Sequence, residues 1–247
     1  MAKSAARPTR SAEMATIDVS SDGAERPRRR REQDVLNAAA KVFSERGYSD
    51  ASVQEVADEL GILKGSLYHY IDTKEDLLFW LLDEVHEGVG AVLAEVEATE
   101  GLGPLERLAM YVRRQILYNL DNIQRVSIYY HDMDRLSKDR LAILRERRKE
   151  HERFVAAQLR EAQKAGLADA SLDPLIMTNC TFAAIIWTYR WYKPHGAVSR
   201  ERIADMCTEF VLKGVQGGAG SRELAAAPPA PAARKARAPR TTAPRAR

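Results

Sequence analysis

The sequence predicts an all-α fold, and three observations carry the prediction. Apolar residues recur at three- and four-residue spacing through most of residues 35–216. N-capping residues and Gly or Pro stops divide that pattern into helix-length pieces. No stretch alternates apolar and polar residues with β-branched enrichment over a useful length.

Each helix has its own signal. Val35, Ala39, Val42, Phe43 and Arg46 share one face of the first helix, and Gly47 follows as its stop. Ser52-Val53-Gln54-Glu55 reads as a capping box, in which the Ser oxygen and the Glu carboxylate satisfy opposite orphan amides. The short helix it opens ends at Leu60-Gly61, and a second short one runs from Lys64 to Tyr70. Asp72-Thr73-Lys74-Glu75 starts a longer helix on the pattern Leu77, Leu78, Leu81, Leu82, Val85, Val89, Leu93, Val96. Gly101-Leu102-Gly103-Pro104 ends it, with Pro104 suited to the first position of the next. Further helices are expected at 105–121, 124–135, 138–165, 174–192 and 199–216, the fourth opened by an Asp173 N-cap and Pro174.

Charge is distributed unevenly. The 247 residues hold 38 Lys+Arg and 35 Asp+Glu, for a formal net charge of +3. Residues 1–31 contain eight basic and four acidic groups, and residues 221–247 seven basic and one acidic, so the stretch between is acidic. Residues 1–25 and 217–247 lack sustained periodicity and are rich in small residues, Pro and Arg; both are expected to be disordered. The C-terminal tract could add nonspecific affinity for a polyanion or act as a solubilising extension. No uninterrupted apolar run is long enough for a membrane span, and Met1–Asp22 lacks the apolar segment of a signal peptide. Two cysteines, Cys180 and Cys207, exclude a disulfide framework and suit buried thiols in a cytoplasmic protein. Five scattered histidines show no metal-ligand spacing, and no phosphate-binding Gly loop or nucleophile elbow is present. No metal, no cofactor and no catalytic residue is therefore expected.

The two short helices, separated by Gly61-Ile62-Leu63, have the proportions of a helix-turn-helix. Val56, Ala57, Leu60, Ile62 and Leu67 would form its core, leaving Lys64, Gly65, Ser66, Tyr68, His69 and Tyr70 outward on a recognition helix. Gly65 allows close backbone approach, Lys64 and Ser66 donate hydrogen bonds, and the aromatics reach phosphates or thymine methyls. The string Ser52-x3-Val56-Ala57-x2-Leu60-Gly61-Ile62-x2-Gly65-x-Leu67-Tyr68-x-Tyr70-x3-Lys74-Glu75-x-Leu77 resembles the DNA-binding head of the tetracycline-repressor (TetR) family. The resemblance implies that Ser52 holds a phosphate, that Lys64–Tyr70 enters the groove, and that Lys74 clamps the backbone. Leu63, where many relatives carry a small hydroxyl residue, and Ile71, where Phe is common, depart from the pattern.

Residues 32–75 contain nine acidic groups and only Lys41, Arg46, Lys64 and Lys74, so the head is itself acidic. Arg26, Arg28, Arg29, Arg30 and Arg31 immediately before the first helix are expected to form a basic arm along the phosphates or in the minor groove. The head with this arm spans 26–78, and a larger helical effector-binding and dimerisation domain spans 79–216. The resemblance implies a homodimer through the last two helices; Ile203, Met206, Cys207, Phe210 and Val211 form a suitable apolar stripe, which would equally serve an internal core.

Two aromatic-polar clusters, Ser127–Asp132 and Trp187–Pro194, are the candidates for a ligand pocket. Within them Tyr129, Trp187, Arg190 and Trp191 stand out. Arg190 suits a ligand anion or stacking on Trp191, and equally an ion pair with Asp132 or Asp134 or a helix C-cap. The strings Tyr129–Leu136 and Arg190–Gly196 are similar to one branch of the family, repressors of sterol-ring and fatty-acyl catabolism released from DNA by CoA thioesters. That likeness implies an acyl or ring portion among Met110, Leu117, Ile128 and Trp187, with CoA phosphates met by Arg113, Arg114, Arg148 or Lys149. The implied function is a ligand-responsive repressor of double-stranded operator DNA with a small-molecule effector of the acyl-CoA kind. An effector-independent architectural DNA-binding protein and an all-α enzyme acting at Tyr129–Asp132 are the alternatives.

Overall fold

In the computed structural model the described residues are 22–217, with side chains from residue 30 onward. Residues 1–21 and 218–247, and with them most of the two expected tails, lie outside the described residues. The helices are α1 (Asp22–Arg46), α2 (Val53–Glu59), α3 (Lys64–Leu67), α4 (Lys74–Ala98), α5 (Pro104–Asp121), α6 (Ile123–Asp132), α7 (Lys138–Lys164), α8 (Pro174–Ile186), α9 (Thr188–Trp191) and α10 (Arg200–Gln216). Among the described residues there is no strand.

Local chemistry accounts for most boundaries. Gly47, Gly61, Gly101, Gly166 and Gly217 all have positive φ at the turns after helices, a conformation only glycine adopts without strain. Both expected N-terminal motifs form: Ser52 with Glu55, and Thr73 with Asp76, complete reciprocal capping boxes. Asp173 Oδ1 accepts from the backbone N–H of Leu175 and Ile176, with Pro174 at the first position.

Four expectations are corrected. The basic arm is not an extension before the first helix: α1 already includes Asp22–Glu25 and the arginines that follow. The recognition helix is shorter than Lys64–Tyr70. Tyr68 closes α3, and the amides of His69 and Tyr70 bond three residues back, to Ser66 and Leu67, because the chain must reach the extended Thr73 that caps α4. The helix expected over 174–192 breaks at Trp187, where Thr188 Oγ1 donates to the Ile185 carbonyl and the Arg190 amide bonds three residues back to Trp187. Residues 133–135 form a 3-10 turn rather than the end of α6.

Two apolar cores sit along α4. Val35, Ala39, Phe43, Val56, Ala57 and Leu67 of α1–α3 pack against Leu77, Leu78, Leu81 and Leu82, and Ile128, Tyr129 and Leu144 join them from the body. Farther along, Leu93 and Val96 meet Tyr111, Ile116, Phe154, Leu159, Phe182 and Ile185, with Ile203 and Val211 of α10 on the same core. The expected boundary between residues 78 and 79 therefore lies inside α4, which belongs to both cores. Gly88 permits this packing: a Cβ there would overlap the Tyr118 ring, which lies against α4.

Polar contacts fix the head on the body. Arg125 of α6 donates to Asn37 of α1 at 2.5 Å and to Glu84 of α4 at 2.8 Å. Arg140 of α7 pairs with Asp76, and Arg147 with Asp83. The backbone N–H of Ser137 donates to Glu75 at 3.0 Å.

Candidate functional site

At the tip of the head, α3 presents Lys64, Gly65, Tyr68 and His69 to solvent, with Ser66 and Tyr70 partly covered. Leu67 is fully buried against the head core and fixes the register of that surface. Nothing in the chain lies within 4 Å of a Cβ built on Gly65, and its φ is not positive, so the fold itself does not require glycine there. Leu63, at the N-cap of α3, is 80% exposed. The departure from the family pattern at this position places an apolar side chain beside the recognition surface, of a kind that meets thymine methyls.

Ser52 and Lys74 flank this surface, and both are engaged. Ser52 Oγ accepts from the Glu55 amide at 3.2 Å and donates to the Glu55 carboxylate at 2.9 Å. The Ser52 backbone N–H, which donates to the Glu55 carboxylate at 2.8 Å, and then the Ser52 hydroxyl hold the Glu55 carboxyl below its ordinary pKa. Lys74 Nζ donates to the Ser49 carbonyl at 3.2 Å and stands 4.4 Å from the centre of the Tyr48 ring. Partial burial lowers the Lys74 pKa, against the pull of Asp50, Asp132 and Glu55. Arg30 and Arg31 are exposed on α1; the side chains of Arg28 and Arg29 lie outside the described ones. Arg31 borders an open groove of ≈ 730 Å³ between α1, the end of the recognition segment and α4. Glu32, Asp83, Glu84 and Glu87 line the same groove.

A second feature lies in the body. Val85, His86 and Val89 of α4, Gln115 and Asn119 of α5, Tyr129 and Tyr130 of α6, Arg148 and His151 of α7, and Phe182 and Ile186 of α8 surround a cavity of ≈ 30 Å³. Two buried His–Tyr pairs belong to it. His86 Nε2 and Tyr129 Oη are 3.0 Å apart, and His151 Nδ1 and Tyr111 Oη 2.9 Å apart. Burial, reinforced by His151, Arg147 and Arg148, brings the His86 pKa down to about 4. Burial likewise lowers that of His151 and raises that of Tyr129 to about 12. These side chains are neutral near pH 7. His86 Nδ1, Gln115 Oε1 and Asn119 Nδ2 are buried without a hydrogen-bond partner.

The eight residues expected around a ligand do not gather at this cavity. Tyr129 lines it. Ile128 is buried in the core shared with the head, and Met110 and Leu117 pack partly covered on the second core. Arg114 pairs with Glu95 at 2.9 Å. Trp187 and Trp191 are exposed, since the break at Trp187 turns them out of the helix packing. Arg190 Nη1 lies 2.7 Å from His131 Nε2 and stacks toward Trp187, 5.8 Å away, rather than Trp191 or the aspartates. Of the four expected phosphate partners, Arg148 borders the cavity and bonds Glu152; Arg113 pairs with Asp205, and Lys149 with Glu146. Sequence reasoning missed His86, Gln115, Asn119 and His151. The signal was available: Tyr111, Gln115 and Asn119 are four residues apart, so two amides fall on an otherwise apolar helix face.

The dimer stripe divides. Ile203 and Val211 are buried in the chain's own core, Cys207 is half-buried, and Met206 and Phe210 are exposed. Cys180, expected buried, is exposed on α8. Leu175 and Ile176, at the start of α8, are also exposed.

Residues 35–80 match the bacterial regulatory proteins of the tetR family, and residues 101–215 match the tetracyclin repressor-like C-terminal domain. The transcriptional repressor KstR2 of Mycolicibacterium smegmatis is 29% identical over 205 residues, covering 78% of this chain and 94% of that protein. The ketosteroid transcriptional regulator KstR2 of Mycobacterium tuberculosis superposes with a TM-score of 0.71 at 27% identity, over 76% of this chain and 96% of that one. AibR, solved in complex with isovaleryl coenzyme A and operator DNA, superposes with a TM-score of 0.66 at 29% identity, over 72% of this chain and 96% of that one. Among the described residues no helix is long and apolar enough to cross a membrane. The chain belongs to the TetR family of bacterial transcriptional regulators, proteins that act by binding DNA and not as enzymes.

Proposed function

We propose that this protein is a dimeric repressor of a palindromic operator, released by a small, largely hydrophobic effector, with CoA thioesters of lipid or sterol catabolism as the class. The single observation that carries the reading is the continuity of α4. Its first turn holds Lys74 beside the recognition surface and Asp76 against Arg140, and the same helix supplies Val85, His86 and Val89 to the cavity. From Lys74 to His86 is about 18 Å of unbroken helix, so a displacement at the cavity is carried to the head. At ≈ 30 Å³ the cavity has room for about one water, and a ligand enters it only by moving its walls. Such a ligand binds the opened conformer preferentially, and that difference in affinity lowers the affinity for DNA. The likeness to KstR2 and to AibR supports the thioester class.

Dimerisation sets the spacing of the two heads. Exposed Leu175 and Ile176 on α8 and Met206 and Phe210 on α10 form an apolar surface suited to a helical bundle across a two-fold axis. The test is an operator selected from random duplexes, followed by fluorescence anisotropy and melting measurements against acyl- and ring-carbonyl-CoA thioesters and their free acids. Half-sites about one helical turn or more apart and release by thioesters alone are expected. Release by free acids alone, or by neither, removes the thioester class.

A further inference from the structure

We infer that the effector carries a hydroxyl group on the hydrocarbon portion it buries in the cavity, and that Gln115, Asn119 and His86 are the residues that select it. The inference rests on the reading of this cavity as the effector site. A hydrocarbon group satisfies Val85, Val89, Phe182 and Ile186, but it leaves Gln115 Oε1, Asn119 Nδ2 and His86 Nδ1 buried without partners. A site that holds unpaired polar atoms discriminates strongly against the analogue that lacks the matching group.

The kind of group follows from the atoms. Gln115 Oε1 needs a donor, and Asn119 Nδ2 needs an acceptor. A hydroxyl supplies both from one oxygen, whereas a ketone only accepts. A carboxylate is disfavoured because the Arg148 guanidinium at the rim is bonded to Glu152 at 2.9 Å, and the two histidines face tyrosine hydroxyls. An unpaired anion among neutral groups retains its desolvation cost.

The full-length protein on its operator duplex gives the test, using matched pairs that differ by one hydroxyl. The pairs are octanoyl-CoA against 3-hydroxyoctanoyl-CoA and 8-hydroxyoctanoyl-CoA, and cyclohexanecarbonyl-CoA against 4-hydroxycyclohexanecarbonyl-CoA. In at least one pair the hydroxylated member is expected to release the operator at about tenfold lower concentration or less. The double variant Gln115→Met, Asn119→Leu, similar in shape but apolar, is expected to erase that difference. Equal potency in every pair, or a difference that survives the double variant, overturns the inference. If no thioester releases the operator, the thioester reading fails, and the ligand-free protein decides the inference separately. Replacing unpaired buried atoms with apolar ones is expected to raise its Tm by a few degrees. An unchanged or lowered Tm means that a bound water already satisfies those atoms, and it overturns the inference.

Discussion

Gly65 and His86 show how single residues divide between folding and function. Gly65 has ordinary backbone geometry and open space where a side chain would stand, so the fold makes no demand for glycine there. Gly65→Leu is expected to leave the Tm nearly unchanged while weakening operator binding by about tenfold or more, as loss of close groove contact does; a fall in Tm with unchanged affinity would contradict this. His86 is the opposite case. Its pKa falls from 6.5 in the unfolded chain to about 4 in the folded one, so between these values the unfolded state takes up a proton that the native state refuses. Stability attributable to this group is therefore constant above pH 6.5, lost as pH falls toward 4, and constant again below. The loss at pH 5 is on the order of 2 kcal/mol. The Tm of His86→Gln should accordingly drop less than that of the wild type between pH 7.5 and 5, and parallel curves would refute the assignment. Asp76 responds at lower pH. Burial alone would raise its pKa, but bonds from Arg140 and from the Thr73 and Asp72 amides outweigh burial and lower it. The stability it adds is present above its unfolded pKa and is lost as pH falls through the folded one.

At the scale of elements, α1 and α4 carry the proposed function. The arginines before the first helix read as an arm, but the backbone that carries them continues α1. The acidity of the head remains, so sequence-independent affinity must come from a few placed cations. Replacing Arg28–Arg31 with Ala is expected to reduce the slope of log affinity against log salt by about 0.9 for each phosphate contact removed. An unchanged slope and affinity would separate this helix from DNA. Helix α4 was legible as a long apolar helix, because its capping box and leucine pattern are local. Its role as a joint between two cores was not legible, since the partners of Leu77 and of Leu93 come from different parts of the chain. The short α3 was overextended for a related reason: the demand of the Thr73 cap competes with the helix only where the two meet.

At the scale of the whole molecule, the proposed function requires the exposed apolar residues of α8 and α10 and the cavity beneath α4 to act together. Ile176→Glu combined with Phe210→Glu is expected to give a folded monomer by sedimentation, with operator affinity reduced by at least about a hundredfold because two half-sites are no longer bound as one. A dimer that persists would place the interface elsewhere. The sequence by itself determined the all-α class, the helix-turn-helix, the exposure of Lys64, Gly65, Tyr68 and His69 on it and the family, because caps, turn glycines and apolar periodicity are local and act through neighbouring backbone. It did not determine the cavity. Aromatic clusters at Tyr129 and Trp187 drew attention as chemistry, yet the break at Trp187 exposes Trp187 and Trp191, while two amides and two histidines on apolar faces become neighbours only when α4, α5, α6 and α7 pack. Burial and hydrogen-bond partnership are properties of the packed molecule, so only the tertiary structure decided which polar atoms stand buried without partners.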